Sequence, residues 1–91
     1  LEIKRQVYRG QPHRSIAISL MNLGVAYTGL KEYPLAIDHY RNSWGMLREL
    51  YGDVADPDIA ANLINLGVAE TSSGDYAGAA ESFRIAAMID E

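Results

Sequence analysis

The chain has no cysteine among its 91 residues, and this absence excludes disulfide cross-links and thiolate metal ligands. It also has no uninterrupted apolar run near the ~20 residues that a membrane-spanning helix requires, so we expect no membrane partner. The first ten residues, LEIKRQVYRG, lack the apolar segment and the small-residue cleavage site of a signal peptide. We therefore expect a cytoplasmic location.

Basic residues are scarce in the second half of the chain. The net charge is −4 overall, which argues against a nucleic-acid partner. Residues 1–48 carry seven Lys or Arg against three Asp or Glu, a net of +4, whereas residues 49–91 carry one Arg against nine acids, a net of −8. Three interpretations of this asymmetry are open. It could steer a charged ligand to one end of the chain, it could let stacked neighbours meet through complementary ends, or it could be accidental.

The sequence repeats itself at an offset of 43 residues. The segment IAISLMNLGVA at 16–26 returns as IAANLINLGVA at 59–69, with no insertion or deletion. The repeat extends beyond this segment, because residues 1–48 and 44–91 share 14 identities at the same offset. A period of this length is typical of stacked helical-repeat proteins.

Apolar residues recur every three or four positions within each copy, which predicts amphipathic helices. The expected helices span about residues 14–28, 33–51, 57–72 and 75–90. Gly24 and Gly67 lie inside helices, where a glycine is tolerated if another helix approaches too closely for a Cβ atom.

The period also divides the chain into units. We expect the tail of a preceding repeat's second helix at residues 1–9, a first repeat at residues 13–52 and a second repeat at residues 56–91. On this interpretation the chain is a fragment of a longer protein.

The motif LxNLGVAY, followed by a turn and xYxxAxxxY, resembles the tetratricopeptide repeat. The matching positions are Leu20, Leu23, Gly24, Tyr27, Ala36 and Tyr40 in the first copy, and Leu63, Leu66, Gly67, Ala79 and Phe83 in the second. The longer period and the connector YGDVADPDIA are more similar to the repeats of kinesin light chains and nephrocystin-like proteins. The resemblance implies an all-α fold, an α-solenoid of antiparallel helix hairpins in a right-handed superhelix.

The second copy departs from the family pattern. Glu70 stands where the family and the first copy have a core tyrosine, and in the first copy Lys31 stands where a turn glycine is usual. The second hairpin also ends in an alanine-rich helix, AGAAESFRIAAM. These departures predict that the second repeat is packed more loosely than the first.

The resemblance also implies a concave groove lined by the first helix of each repeat. The corresponding groove residues are Ile18, Met21, Asn22, Val25, Ile64, Asn65 and Val68, with Thr28, Gly29, Ala61, Thr71 and Ser72 beside them. Asn22 and Asn65 are the sharpest candidates, because an amide can donate to and accept from a peptide backbone. The alternative is that each amide satisfies a carbonyl within the stack.

The groove composition indicates a class of ligand. One subtype of the family grips a C-terminal carboxylate with Lys and Asn, and here the matching positions hold Met21, Val25, Ile64 and Val68. A peptide that carries leucine or aromatic side chains is therefore a better expected ligand than a charged C-terminal tail.

No catalytic constellation and no phosphate-binding glycine loop can be assembled, so we expect no enzyme activity and no cofactor. His13 and His39 have no ligand-spaced partner, so we expect no metal site.

The predicted function is a protein–protein interaction scaffold whose partner is a protein or peptide. The alternatives are a regulatory repeat array of a larger protease or NTPase, and a purely structural spacer.

Two repeats leave apolar helix faces without a neighbour at both ends of the stack. Repeat units bury their faces only against adjacent units, and about three are usually needed for stability. We therefore expect end-to-end self-association of the chain.

Overall fold

The computed structural model describes residues 14–52 and 57–90, which form four helices and contain no strand. The helices are α1 (Arg14–Gly29), α2 (Tyr33–Tyr51), α3 (Pro57–Ser73) and α4 (Tyr76–Asp90). Their ends lie within one residue of the positions expected from the apolar periodicity. The expected tail of a preceding repeat, at residues 1–9, lies outside the described residues.

The four helices pack as two hairpins, α1 with α2 and α3 with α4, and the hairpins meet where α2 packs against α3. α1 also contacts α3, whereas no Cα atoms of the described helices α2 and α4 come within 8 Å of each other. α3 is thus the central helix, because it contacts each of the other three.

The central position of α3 explains why it is buried on two sides. Ile59, Leu63 and Leu66 follow the i, i+4, i+7 spacing of one helix face, and all three are buried. The equivalent residue of Leu66 in α1 is Leu23, and the exposed fraction of the side chain is 4% for Leu66 and 45% for Leu23. The same sequence motif is therefore buried in α3 and half-exposed in α1, because among the described helices a preceding hairpin packs against α3 and none packs against α1.

The two hairpin turns have the same hydrogen bonds. The N–H of Lys31 donates to the carbonyl of Thr28 at 3.0 Å, and the N–H of Gly74 donates to the carbonyl of Thr71 at 3.1 Å. Both turn residues have a positive φ, 64° at Lys31 and 94° at Gly74. The sequence position that usually holds glycine therefore has the backbone conformation that favours glycine, and Lys31 adopts it at a cost of about 1 kcal/mol.

Gly24 and Gly67 allow the second helix of each hairpin to approach the first. A Cβ atom at Gly24 would lie 2.6 Å from the ring of Tyr40, and one at Gly67 would lie 2.7 Å from the ring of Phe83. The close approach expected from the mid-helix glycines is present in both hairpins. The two rings differ in freedom, since Tyr40 is 2% exposed and Phe83 is 40% exposed.

This difference predicts unequal effects of the same substitution. Gly24→Ala is expected to lower the free energy of unfolding by about 2 kcal/mol, because the buried Tyr40 ring cannot move away from the new methyl group. Gly67→Ala is expected to be close to neutral, because the Phe83 ring can turn toward solvent and alanine gains about 1 kcal/mol of helix propensity. Urea unfolding of both variants measures the difference, and equal losses would contradict this account.

Candidate binding groove

The residues predicted to line a groove lie on α1 and α3. Each of these is the first helix of its hairpin, and the two helices contact each other. We call these residues the groove face: Ile18, Met21, Asn22 and Val25 on α1, and Ile64, Asn65 and Val68 on α3. On each helix the positions are three or four residues apart, so neighbouring side chains share one side of the helix.

Three apolar residues of the groove face are exposed. Val25, Ile64 and Val68 have between 42% and 51% of their surface open to solvent. Ile18 and Met21 are half-buried, and Met21 also packs against the hydrophobic core. The groove face therefore offers apolar surface in both repeats, with Val25 and Val68 at equivalent positions.

Asn22 and Asn65 lie beside these residues with unequal burial. Asn22 is exposed and Asn65 is half-buried, and neither amide makes a side-chain hydrogen bond among the residues that the structure describes. The alternative in which each amide satisfies a carbonyl inside the stack is therefore not what the structure shows for this part of the chain. Both amides retain donor and acceptor capacity for a ligand.

Thr28 and Thr71, at the end of the expected groove, use their hydroxyl protons within their own helices. The Thr28 hydroxyl donates to the Gly24 carbonyl at 2.8 Å, and the Thr71 hydroxyl donates to the Gly67 carbonyl at 2.9 Å. These hydroxyls are left with acceptor capacity only, so they complement a ligand less fully than the two amides do.

Asn62 is a polar residue of α3 that the sequence motifs did not single out. Its side chain is completely buried, and neither its amide nitrogen nor its amide oxygen has a hydrogen-bond partner. The equivalent residue in the first repeat is Ser19, which is exposed. A buried amide without partners costs about 1–3 kcal/mol relative to a hydrogen-bonded one. The inter-repeat packing therefore contains a polar group that weakens it.

Glu70 is buried and joins the two hairpins through hydrogen bonds. Its Oε2 accepts from the Arg41 guanidinium at 3.1 Å, and its Oε1 accepts from the Ser82 hydroxyl at 2.7 Å. Arg41 belongs to α2 and also lies 4.0 Å from Asp75. The residue that departs from the family pattern thus connects α3 with the preceding hairpin and with α4. Looser packing of the second repeat stays a prediction.

A second candidate surface is a cavity between α2 and α4, the second helices of the two hairpins. Its volume is about 350 Å³, and α3 also contributes to its lining. In its wall, the guanidinium of Arg48 lies 5.1 Å from the centre of the Trp44 ring. Its lining residues are Trp44, Arg48, Gly52, Ile59, Ile85, Met88 and Ile89. This cavity is separate from the groove face, because none of its lining residues belongs to that face.

Comparison with known proteins identifies the family. The family model of the tetratricopeptide repeat matches residues 15–86. The match includes α2 and α3 in full, α1 from its second residue and α4 as far as Ala86. The chain belongs to the tetratricopeptide repeat family. No curated protein and no solved structure gives a significant match to the chain.

Membership confirms the predicted fold, a stack of helical hairpins in which the tetratricopeptide motifs supply the packing residues. Tetratricopeptide repeats generally mediate protein–protein interaction, and the family is typically non-catalytic. The similarity to kinesin light chain repeats stays a prediction.

None of the described helices is long and apolar enough to cross a membrane. Within residues 14–52 and 57–90, no group of three or more His, Cys, Asp or Glu side chains could hold a metal ion.

Proposed function

We propose that this tetratricopeptide unit binds an extended peptide or a partner helix on the groove face. The observation that carries the proposal is that both repeats present the same pair, an exposed valine and an asparagine with no hydrogen bond to the described protein. The pairs are Asn22 with Val25 and Asn65 with Val68.

Each member of the pair has a separate role in binding. The amides of Asn22 and Asn65 bond backbone N–H and C=O groups of the ligand, which do not depend on the ligand's sequence. Val25, Ile64 and Val68 contact its apolar side chains, and burial of their exposed surface supplies most of the binding energy. The ligand is therefore a peptide with leucine or aromatic residues, since the groove face contains no charged side chain.

A peptide-array screen followed by titration of the tightest peptide tests the proposal. The double variant Asn22→Ala/Asn65→Ala is expected to weaken binding roughly 5- to 100-fold, because each of the two lost hydrogen bonds contributes about 0.5–1.5 kcal/mol. The matched control is Asn42→Ala, which removes an exposed asparagine of α2 outside the groove face and is expected to bind as the wild type does.

Two results would count against the proposal. Unchanged affinity of the double variant would remove the amides from the site. Absence of any binding peptide on the array would favour the structural spacer that the sequence also allows.

A further inference from the structure

The cavity between α2 and α4 combines apolar walls with one cationic group. Arg48 is the charged member of its described lining, and the apolar members come from three different helices. These apolar residues are Trp44, Ile59, Ile85, Met88 and Ile89. Because α2, α3 and α4 all contribute to it, the cavity belongs to the contact between the two hairpins.

The aromatic and cationic members of the lining are not a product of the repeat motif. The positions of Trp44 and Arg48 hold Ala87 and Glu91 in the second copy, so the pair occurs once in the chain. The family's packing residues, in contrast, recur in both copies, as Gly24 and the other motif positions do. The helical scaffold therefore does not require this pair, and a role at the cavity accounts for it.

The guanidinium of Arg48 is held at the cavity wall without an anionic partner. It lies 5.1 Å from the centre of the Trp44 ring, a cation–π contact that restricts its position. None of the ion pairs among the side chains that the structure describes includes Arg48. Arg84, which donates to the sulfur of Met88 at 3.5 Å, has its charge paired with Glu81. Arg48 is thus the cation at this site whose donors are available to an anion.

We propose that the cavity binds a small amphipathic carboxylate. An aromatic or short aliphatic group enters between Trp44 and α4, and its carboxylate accepts hydrogen bonds from Arg48. The volume of about 350 Å³ is that of a small-ligand pocket, which is typically about 300–1,000 Å³. A guanidinium suits a carboxylate in particular, because two of its N–H groups can donate in parallel to the two oxygens.

The chemistry of the lining favours a small molecule over a segment of a partner protein. Apart from Arg48 and the indole N–H of Trp44, no described side chain of the lining is polar. A peptide backbone in this cavity would leave N–H and C=O groups without partners, which is costly away from water. A small carboxylate has one polar group, and Arg48 satisfies it. The amides that suit a peptide lie on the groove face instead.

Tryptophan fluorescence tests the proposal directly, because Trp44 is the only tryptophan of the chain and lies in the cavity wall. Titration of the 91-residue chain with phenylbutyrate or octanoate is expected to shift the emission to shorter wavelength and to saturate, since the ligand displaces water from the indole. Phenylbutanol has the same apolar body without the charge. It is expected to bind roughly tenfold more weakly than phenylbutyrate, because it cannot pair with Arg48.

Two variants separate the charge from the apolar walls. Arg48→Gln is expected to weaken phenylbutyrate binding roughly tenfold and to leave phenylbutanol binding unchanged. Met88→Glu adds a negative charge to the lining and is expected to weaken binding of phenylbutyrate more than that of phenylbutanol. The matched control, Lys31→Gln, removes a positive charge from the turn between α1 and α2 and is expected to leave both affinities unchanged. All three residues are exposed, so each variant is expected to fold, which circular dichroism checks.

Three results would overturn the proposal. The first is no saturable change in Trp44 emission with either acid at millimolar concentration. The second is equal weakening of phenylbutyrate and phenylbutanol binding by Arg48→Gln. The third is tighter binding of a peptide that ends in a phenylalanine carboxylate than of phenylbutyrate, which would assign the cavity to the chain terminus of a partner protein.

The cavity and the groove face can be told apart with the same titration. The Asn22→Ala/Asn65→Ala variant is expected to bind phenylbutyrate as the wild type does, because neither amide belongs to the cavity lining. A loss of phenylbutyrate binding in this variant would place the acid on the groove face and would also overturn the proposal.

Discussion

Arg41→Ala is expected to lower the free energy of unfolding by about 2 kcal/mol, because it leaves the carboxylate of Glu70 buried without its cationic partner. Breaking a fully buried ion pair costs more, but 54% of the Arg41 side chain is exposed, and solvent replaces part of what the guanidinium supplies. The Ser82 hydroxyl continues to donate to Glu70 and keeps the loss from being larger. Urea unfolding at low micromolar concentration measures the change.

The repeat supplies the control for this prediction. Arg84 occupies the position of Arg41 one repeat later, but it pairs within α4 with Glu81, and both side chains are more than half exposed. Arg84→Ala is therefore expected to change the free energy of unfolding by no more than about 0.5 kcal/mol. Adding Glu70→Gln to Arg41→Ala is expected to restore part of the loss, because it removes the unpaired charge. Equal effects of Arg41→Ala and Arg84→Ala would contradict the role assigned to Glu70.

Leu66→Ala is expected to lower the free energy of unfolding by about 3 kcal/mol, because it removes a buried side chain from the central helix and leaves a cavity. Leu66 belongs to the same hydrophobic cluster as Leu47 and Leu63, so atoms from both hairpins lose contacts. Thermal unfolding followed by circular dichroism gives an independent measurement, with a lower midpoint expected for the variant.

Leu23→Ala is the matched substitution in the first repeat. Its side chain is almost half exposed, so the expected loss is about 1 kcal/mol. The ratio between the decreases in the free energy of unfolding for Leu66→Ala and Leu23→Ala measures how much of the α3 surface is covered by α2. Similar losses for Leu66→Ala and Leu23→Ala would show that the two repeats are equally buried and would contradict the packing described above.

The helices and hairpins could be predicted from the sequence because they depend on local features. Apolar spacing predicted all four helices. The last of the expected helices was placed one residue too early, at residue 75. Asp75 instead precedes α4, and its Oδ1 accepts a hydrogen bond from the N–H of Gly78 at 3.0 Å. The mid-helix glycines predicted a close helix approach, and the rings of Tyr40 and Phe83 supply it.

The contacts between the hairpins could not be predicted in the same way, because they join residues far apart in the chain. Arg41 and Glu70 are 29 residues apart, and the repeat gives no signal of their pairing, because the repeat equivalent of Glu70 is Tyr27. Asn62 was missed because its repeat equivalent, Ser19, looks like a surface residue and is one. Burial at that position depends on which helix precedes it, and the periodicity of a single helix does not contain this information.

The groove residues are an intermediate case. The motif placed Val25 and Val68 on one face of the first helix in each repeat, and both are exposed there. The motif also treated Asn22 and Asn65 as equivalent, whereas Asn65 is half-buried because α3 has a neighbouring hairpin on that side. We therefore expect the two amides to contribute unequally to binding, with the half-buried Asn65 contributing more because its side chain has less conformational freedom to lose.

Mapping of a bound peptide by NMR tests the central claim most directly. The account predicts that adding the tightest peptide from the array shifts backbone amide signals of α1 and α3 around Asn22, Val25, Asn65 and Val68, and that the Asn22→Ala/Asn65→Ala variant loses these shifts. Shifts concentrated instead at Trp44, Arg48 and the other residues of the cavity between α2 and α4 would place the binding surface on the opposite layer of helices and contradict the account.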